Sequence, residues 1–136
     1  MSSVRLELEG KTALVTGGGK GIGRAISLAL GAMGAKVVVN YRSDKAAAEE
    51  TAASLPGGSA HKADVGDPAQ VEAMVKAIGR VDILVNNAGA VRDKLLLRMT
   101  EADWNDIIAT DLTAAFHTTK ATLAGGMLRN LSLIHI

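Results

Sequence analysis

Thr16-Gly17-Gly18-Gly19-Lys20-Gly21-Ile22-Gly23 is the stretch whose residue types and spacing best suit chemistry. It follows the apolar run Ala13-Leu14-Val15 and opens a segment with apolar residues at helical spacing. A strand that passes through a glycine-rich turn into a helix is a phosphate-binding device. The glycines let the backbone approach a pyrophosphate, and the free N–H groups of the first helical turn face the anion. Gly21 and Gly23 also lack side chains that would keep the helix off the strand. A glycine run alone also describes a flexible turn, so its flanks must decide. No other acid–base set stands out: His61, His117 and His135 are scattered, and His117 reads as an ordinary helix-face residue.

Composition narrows the class of fold that could carry such a turn. The chain has 136 residues, 48% of them hydrophobic and only 2% aromatic, so Val, Ile, Leu, Ala and Met must build its core. That suits a buried parallel sheet between Ala-rich helices. A formal net charge of +1 without a basic block argues against an electrostatic nucleic-acid binder. The absence of cysteine excludes a disulfide framework and a cysteine zinc site, and no metal site is expected. Arg5, Glu7 and Glu9 interrupt the N-terminal segment, and no apolar run reaches the length of a membrane span, so a cytoplasmic protein is expected.

The elements follow in alternation. Strands are expected at Lys11–Thr16, Lys36–Tyr41, Ser59–Ala63 and Val81–Val85. Ile22, Ala25, Ile26, Ala29, Leu30 and Met33 form a helical stripe that ends near Gly34. Ser43 or Asp44 caps a second helix, and Asp67-Pro68 starts a third that buries Val71, Met74, Val75 and Ile78. Thr100 and Asp103 resemble a capping box opening a long helix to about Ala124. Strand–helix alternation of this kind predicts one α/β domain over residues 1–136, a Rossmann-type doubly wound parallel sheet with strand order 3-2-1-4. Ligands of such sheets lie beyond the carboxyl ends of the strands. Gly17–Gly23, Asn40–Arg42, Asp64-Val65 and Asn86–Gly89 all fall at those ends.

These motifs together resemble the short-chain dehydrogenase/reductase family. The resemblance rests on Thr-Gly-x-x-x-Gly-Ile-Gly, on Asp64-Val65 and on Asn86-Asn87-Ala88-Gly89, and it runs from Gly10 to about Arg129. Val91–Met99 and Trp104–Ile108 look most like the 3-oxoacyl-[acyl-carrier-protein] reductases of fatty-acid synthesis. The resemblance implies an oxidoreductase that moves a hydride between a nicotinamide and a carbonyl. Gly17, Gly19, Lys20, Gly21, Ile22 and Gly23 would surround the cofactor's phosphates and adenosine ribose. Asp64 would accept from the adenine amino group with Val65 beside the ring, and Asn86, Ala88 and Gly89 would line the ribose and adenine side. Asn87 has an equally good purely structural reading, tying loops to the sheet.

Charge selects the nicotinamide cofactor. An acid ending strand two would bind the ribose hydroxyls of NAD and repel a 2′-phosphate. Asn40 stands there instead, with Arg42 beyond it and Lys20 in the glycine loop. A neutral amide plus two cations favours NADP(H), because a phosphate gains charge-assisted bonds from Arg. Asp44 is close enough in sequence to neutralise part of Arg42.

Three departures from the family pattern bear on activity. The family's Ser, Tyr and Lys are expected after strand five, and here the only tyrosine is Tyr41. Tyr41 and Lys45 mimic the Tyr-x-x-x-Lys spacing but stand at the cofactor end of strand two, which rules them out as the catalytic pair. Asp111 replaces the family's Asn, which helps hold a relay water and bends the helix; Asp keeps the shape but loses donors. Leu131–Ile136 can form strand five, yet also resembles adapter-derived sequence, so the reading frame is expected to be cut near Asn130. The expectation is therefore a cofactor-binding half without turnover, prone to aggregate, from a parent that is a homo-oligomer acting on an acyl-carrier-protein-linked or other carbonyl substrate. The alternatives are a non-catalytic dinucleotide-binding protein and a reductase of the family acting on a sugar or steroid.

Overall fold

The computed structural model describes residues 7–89 and 95–124 and the backbone of 132–135. Its elements are β1 (Thr12–Val15), α1 (Gly21–Ala32), β2 (Lys36–Tyr41), α2 (Lys45–Ala53), β3 (Ser59–Lys62), α3 (Pro68–Ile78) and β4 (Ile83–Asn86). They continue with a single 3-10 turn (Leu96–Arg98), α4 (Glu101–Ile107), a π-helical segment (Ile108–Thr113), α5 (Ala114–Ala124) and β5 (Ser132–His135). All strands are parallel in the order β3-β2-β1-β4-β5. The expected Rossmann-type order is therefore present, and β5 pairs with β4 from Ile83↔Ser132 to Asn86↔His135.

The apolar strand runs explain this layering. Side chains alternate across a strand, so a run such as Ala13-Leu14-Val15 must find cover on both faces. Leu14, Val38 and Leu84 enter one core with Val71, Met74 and Val75 of α3 and Ala114 of α5. Their neighbours Val15, Val37, Val39 and Val85 enter the other with Ala48 and Ala52 of α2 and Leu55. The expected stripe of α3 holds for Val71, Met74 and Val75, while Ile78 is partly buried at the edge of the same core.

Helix ends follow their signals. Asp44 accepts from the N–H of Ala47 at 3.1 Å and Asp67 from that of Ala69 at 3.0 Å. Thr100 and Asp103 make the reciprocal bonds of a capping box. The long helix expected from Thr100 to Ala124 is interrupted, however, by the π-helical turn. The extra residue of a π-bulge is a recurrent feature of functional sites. At the opposite end of the sheet, buried Asp82 accepts from the N–H of Thr12 at 2.9 Å and pairs with Arg80 at 2.6 Å. Ala90 to Lys94, within the stretch that carries the narrower resemblance, lie outside the described residues, as do Gly125 and Gly126. No described helix is long and apolar enough to cross a membrane. Leu95, Leu96, Leu97, Trp104, Leu112 and Phe116 are large apolar side chains on the surface.

Candidate cofactor site

The loop after β1 is shaped by what its backbone must do. Gly17 and Gly21 take positive φ of 62° and 54°, the left-handed region that other residues rarely adopt. Close approach accounts for Gly19 and Gly23. A Cβ on Gly19 would lie 2.9 Å from the Cα of Ala48, and one on Gly23 would collide with the carbonyl oxygen of Gly17 and the amide of Asn87. Helix α1 begins at Gly21 with no side-chain cap and no acid in its first turn. The N–H groups of that turn are thus left for an anion supplied from outside.

Thr16 joins the ends of β1 and β4. Its hydroxyl accepts the N–H groups of Asn87 and Ala88, each at 3.0 Å, and donates to the carbonyl of Val85 at 3.3 Å. The Asn87 amide donates to the carbonyls of Thr16 and Gly17 at 3.2 and 3.1 Å. These bonds fit its structural reading, which can coexist with a place at the cofactor.

Two asparagines expected beside the cofactor are turned inward. Asn40 is 2% exposed; its Oδ1 accepts from Gly17 N–H at 3.3 Å and its Nδ2 donates toward the carbonyls of His61 and Ala63 at 3.3 and 3.2 Å. Asn40 thus leaves the strand end free of an acid, but its amide is spent on joining the loop to β3. Asn86 accepts from the Thr118 hydroxyl and donates to Thr119 at 3.3 Å, so it faces α5 rather than the cleft. Both orientations follow from strand alternation, which puts Asn40 on the face of Val38 and Asn86 on that of Leu84.

A cleft of ≈ 370 Å³ opens beyond the strand ends. Gly17, Gly19, Lys20, Arg42, Asp64, Val65, Ala88 and Gly89 line it, with Asn40 and Asn87. Gly21, Ile22, Gly23 and Asn86 are outside its wall; Ile22 is 65% exposed beside the loop. Tyr41, placed at this strand end by the sequence, joins the lining, and so do Ser43, Asp44, Ala63 and Thr110, which were not expected there. The first three follow from the end of β2, where the chain turns across the cleft. Thr110 comes from the π-helical segment and carries no local signal. A larger cavity of ≈ 500 Å³ lies against α3 and α5, away from the loop. His117 packs edge-on to Phe116 there, the helix-face role expected of it.

The charges of the cleft are more balanced than the sequence suggests. Lys20 pairs with Asp44 at 3.1 Å. Arg42 approaches Asp64 at 3.7 Å and Asp106 at 3.8 Å. Asp44 therefore offsets Lys20 rather than Arg42, and its carboxyl is held below the usual carboxylate range by the Ala47 N–H and by Lys20. Asp64 has a local duty as well, accepting from Gly66 N–H at 2.9 Å through the oxygen other than the one facing Arg42. Exposed, long ion pairs of this kind are worth about 0–1 kcal/mol. Moving Arg42 from its acids to a phosphate therefore costs little. Lys45 pairs with Glu49 at 3.7 Å while Tyr41 packs on the sheet core, which removes them as an acid–base couple.

Asp111 lies in the π-helical segment and, with Asn86, Thr110 and Thr118, borders a small polar void of ≈ 10 Å³. A Cβ on Gly89 would sit 3.3 Å from its Oδ1, so the glycine lets the loop after β4 pass close to this carboxylate. Among the described residues no cluster of three His, Asp or Glu could hold a metal.

A parallel doubly wound sheet with an uncapped glycine-loop helix and a cleft at its strand ends defines a dinucleotide-binding domain. The profile of the short chain dehydrogenase family matches residues 11–131, and the chain belongs to that family. The chain is 46% identical over 126 residues to the 3-oxoacyl-[acyl-carrier-protein] reductase FabG of Vibrio cholerae, covering 90% of this chain and 52% of the relative. It is 44% identical to the FabG of Escherichia coli with the same coverage. The chain thus spans about half the length of the curated relatives it matches. A Burkholderia cenocepacia short chain dehydrogenase solved in complex with NADP superposes with a TM-score of 0.84 at 33% identity, over 95% of this chain and 56% of that one.

Proposed function

We propose that the chain forms the NADP(H)-binding part of a carbonyl reductase that acts on 3-oxoacyl thioesters carried by acyl-carrier protein. The observation that carries the cofactor choice is the pairing of a basic rim, Lys20 and Arg42, with a strand end that presents no acid to the ribose. The similarity to 3-oxoacyl-[acyl-carrier-protein] reductases supports the substrate class.

The residues fit the cofactor. Glycines let the loop pack tightly against Ala48, Ala88 and the start of α1, and the first turn of α1 is without a cap. The backbone of Gly19, Lys20 and Gly21 would hold the pyrophosphate, Arg42 and Lys20 the 2′-phosphate, and Asp64 with Val65 the adenine. When bound, NADPH supplies the hydride. What these residues contribute is binding and orientation, since the adenosine end anchors a nicotinamide that reacts elsewhere. Protonation of the resulting alkoxide needs a general acid near the nicotinamide. Tyr41 packs against the sheet core at the end of the cleft assigned to the adenosine, so it is not that acid.

Calorimetric titration of the wild type and Arg42→Ala with NADPH and NADH tests the cofactor assignment. NADPH is expected to bind more tightly to the wild type, and the variant to lose about tenfold or more of that affinity with NADH unaffected, because a charged hydrogen bond is worth about 1.5–3 kcal/mol. Equal binding of both nucleotides by both proteins would sink the assignment.

A further inference from the structure

Three consecutive carbonyls of the glycine loop are held by side chains from three different elements. The amide of Asn87, after β4, donates to the Gly17 carbonyl at 3.1 Å. The Ser27 hydroxyl, in α1, lies within hydrogen-bonding distance of both the Gly18 carbonyl, at 3.1 Å, and that of Gly23, at 2.9 Å. The Thr51 hydroxyl, in α2, donates to the Gly19 carbonyl at 3.1 Å. Ser27 and Thr51 are both fully buried.

Thr51 departs from the usual behaviour of a helical threonine. Such hydroxyls commonly return to a carbonyl one turn back in their own helix. Thr122 does so here, bonding to the carbonyl of Thr118 at 2.9 Å. Thr51 instead reaches a residue 32 positions away, in the loop. The same helix brings Ala48 against Gly19.

In a trans peptide the carbonyl and the following N–H point in opposite directions, and the described chain has no cis peptides. Drawing the carbonyls of Gly18 and Gly19 inward therefore turns the N–H groups of Gly19 and Lys20 outward, into the cleft that both residues line. The peptide before them is used differently, since the Gly18 N–H donates to the carbonyl of Asn40 at 3.1 Å.

We propose that Thr51 and Ser27 are positioning residues of the anion loop: their hydroxyls hold the Gly19 and Gly18 carbonyls so that the following N–H groups face the pyrophosphate. This rests on the dinucleotide reading above and extends it to α2, which contributes no residue to the glycine motif. Orientation set before binding removes ordering cost from the binding step, which is how a residue that touches no ligand raises affinity.

Thr51→Val keeps the shape and removes the donor; Thr51→Ser keeps the donor and removes the methyl. Both variants, with Ser27→Ala, are compared with the wild-type chain by NADPH calorimetry and by backbone ¹⁵N order parameters without ligand. Thr51→Val is expected to bind NADPH about three- to tenfold more weakly, the scale of one lost buried hydrogen bond. Order parameters should fall at Gly18 to Gly21 and stay level in β1 and β2, with Thr51→Ser restoring both readouts and Ser27→Ala behaving like Thr51→Val. Wild-type affinity and wild-type order parameters in Thr51→Val would overturn the proposal. So would a loss of order spread through β1 and β2 that Thr51→Ser does not repair. A wild type that binds no NADPH defeats the cofactor reading, and the order parameters then decide the clamp by themselves.

Discussion

Arg42 illustrates how a residue's surroundings alter what its type suggests. The cation lies between Asp64 and Asp106, and Asp106 comes from α4, far along the chain. A 2′-phosphate must compete with both carboxylates for the guanidinium. Asp106→Asn is therefore expected to tighten NADPH binding about two- to fivefold, within the 0–1 kcal/mol of an exposed ion pair. NADH binding should stay constant. Titrations at low and high salt check the cause, since the gain must shrink as salt screens the pair. An unchanged NADPH affinity at low salt would show that Asp106 does not draw on Arg42. Lys20 and Arg42 were legible as cations near the strand ends. Their acidic partners were legible only for Asp44, and for the wrong cation, because side-chain reach across a cleft has no counterpart in local spacing.

Elements meet at the loop through few atoms, and those atoms carry measurable energy. The Thr16 hydroxyl accepts two backbone N–H groups from the segment after β4. Thr16→Val keeps the volume and leaves both without their acceptor, so it should destabilise the fold by about 1–3 kcal/mol. Urea denaturation measures this, and a midpoint equal to the wild type would contradict it. Gly23→Ala should be more severe. Its methyl would collide with backbone at Gly17 and with the Asn87 amide, so α1 must withdraw from the loop. The expected result is loss of NADPH binding in calorimetry together with a lower melting temperature, the mark of overpacking at about 1–3 kcal/mol or more. The glycines and the alternation of strands and helices were readable from sequence because each is a local constraint. The π-helical turn was foreshadowed only by the family resemblance, which implies a bend at Asp111; no local spacing in Ile108–Thr113 marks the extra residue.

For the molecule as a whole, Asp82 anchors the sheet at the end away from the cleft. Burial pushes its carboxyl up, but the Thr12 N–H and Arg80 outweigh that and bring it below the ordinary value of 3.8. A depressed folded value means its contribution is complete above the unfolded value and is lost as pH falls through the folded one. Wild-type stability should therefore decline as the pH drops below about 4, through protonation of this and other bonded carboxylates. Asp82→Ala should cost about 1–3 kcal/mol near neutral pH, because it leaves the Thr12 N–H and Arg80 without their partner. Its stability should also fall less steeply on acidification. Denaturation curves from about pH 7 to about pH 3 test both statements, and parallel pH profiles for the two proteins would remove Asp82 as a source.

The sequence by itself determined the parallel sheet, the order of its first four strands, the glycine loop and the family. Each rests on local pattern: apolar runs, turn residues at helix ends and spacing within a motif. Tertiary structure alone decided which way the end-of-strand side chains face. Asn40 and Asn86 turn inward to bind backbone and threonine hydroxyls, while Tyr41, Arg42 and Asp44 rim the cleft. It also decided that Ser27 and Thr51 hold the loop. These outcomes depend on which buried polar atoms find partners across tens of residues, and only the packed chain brings those atoms within hydrogen-bonding distance.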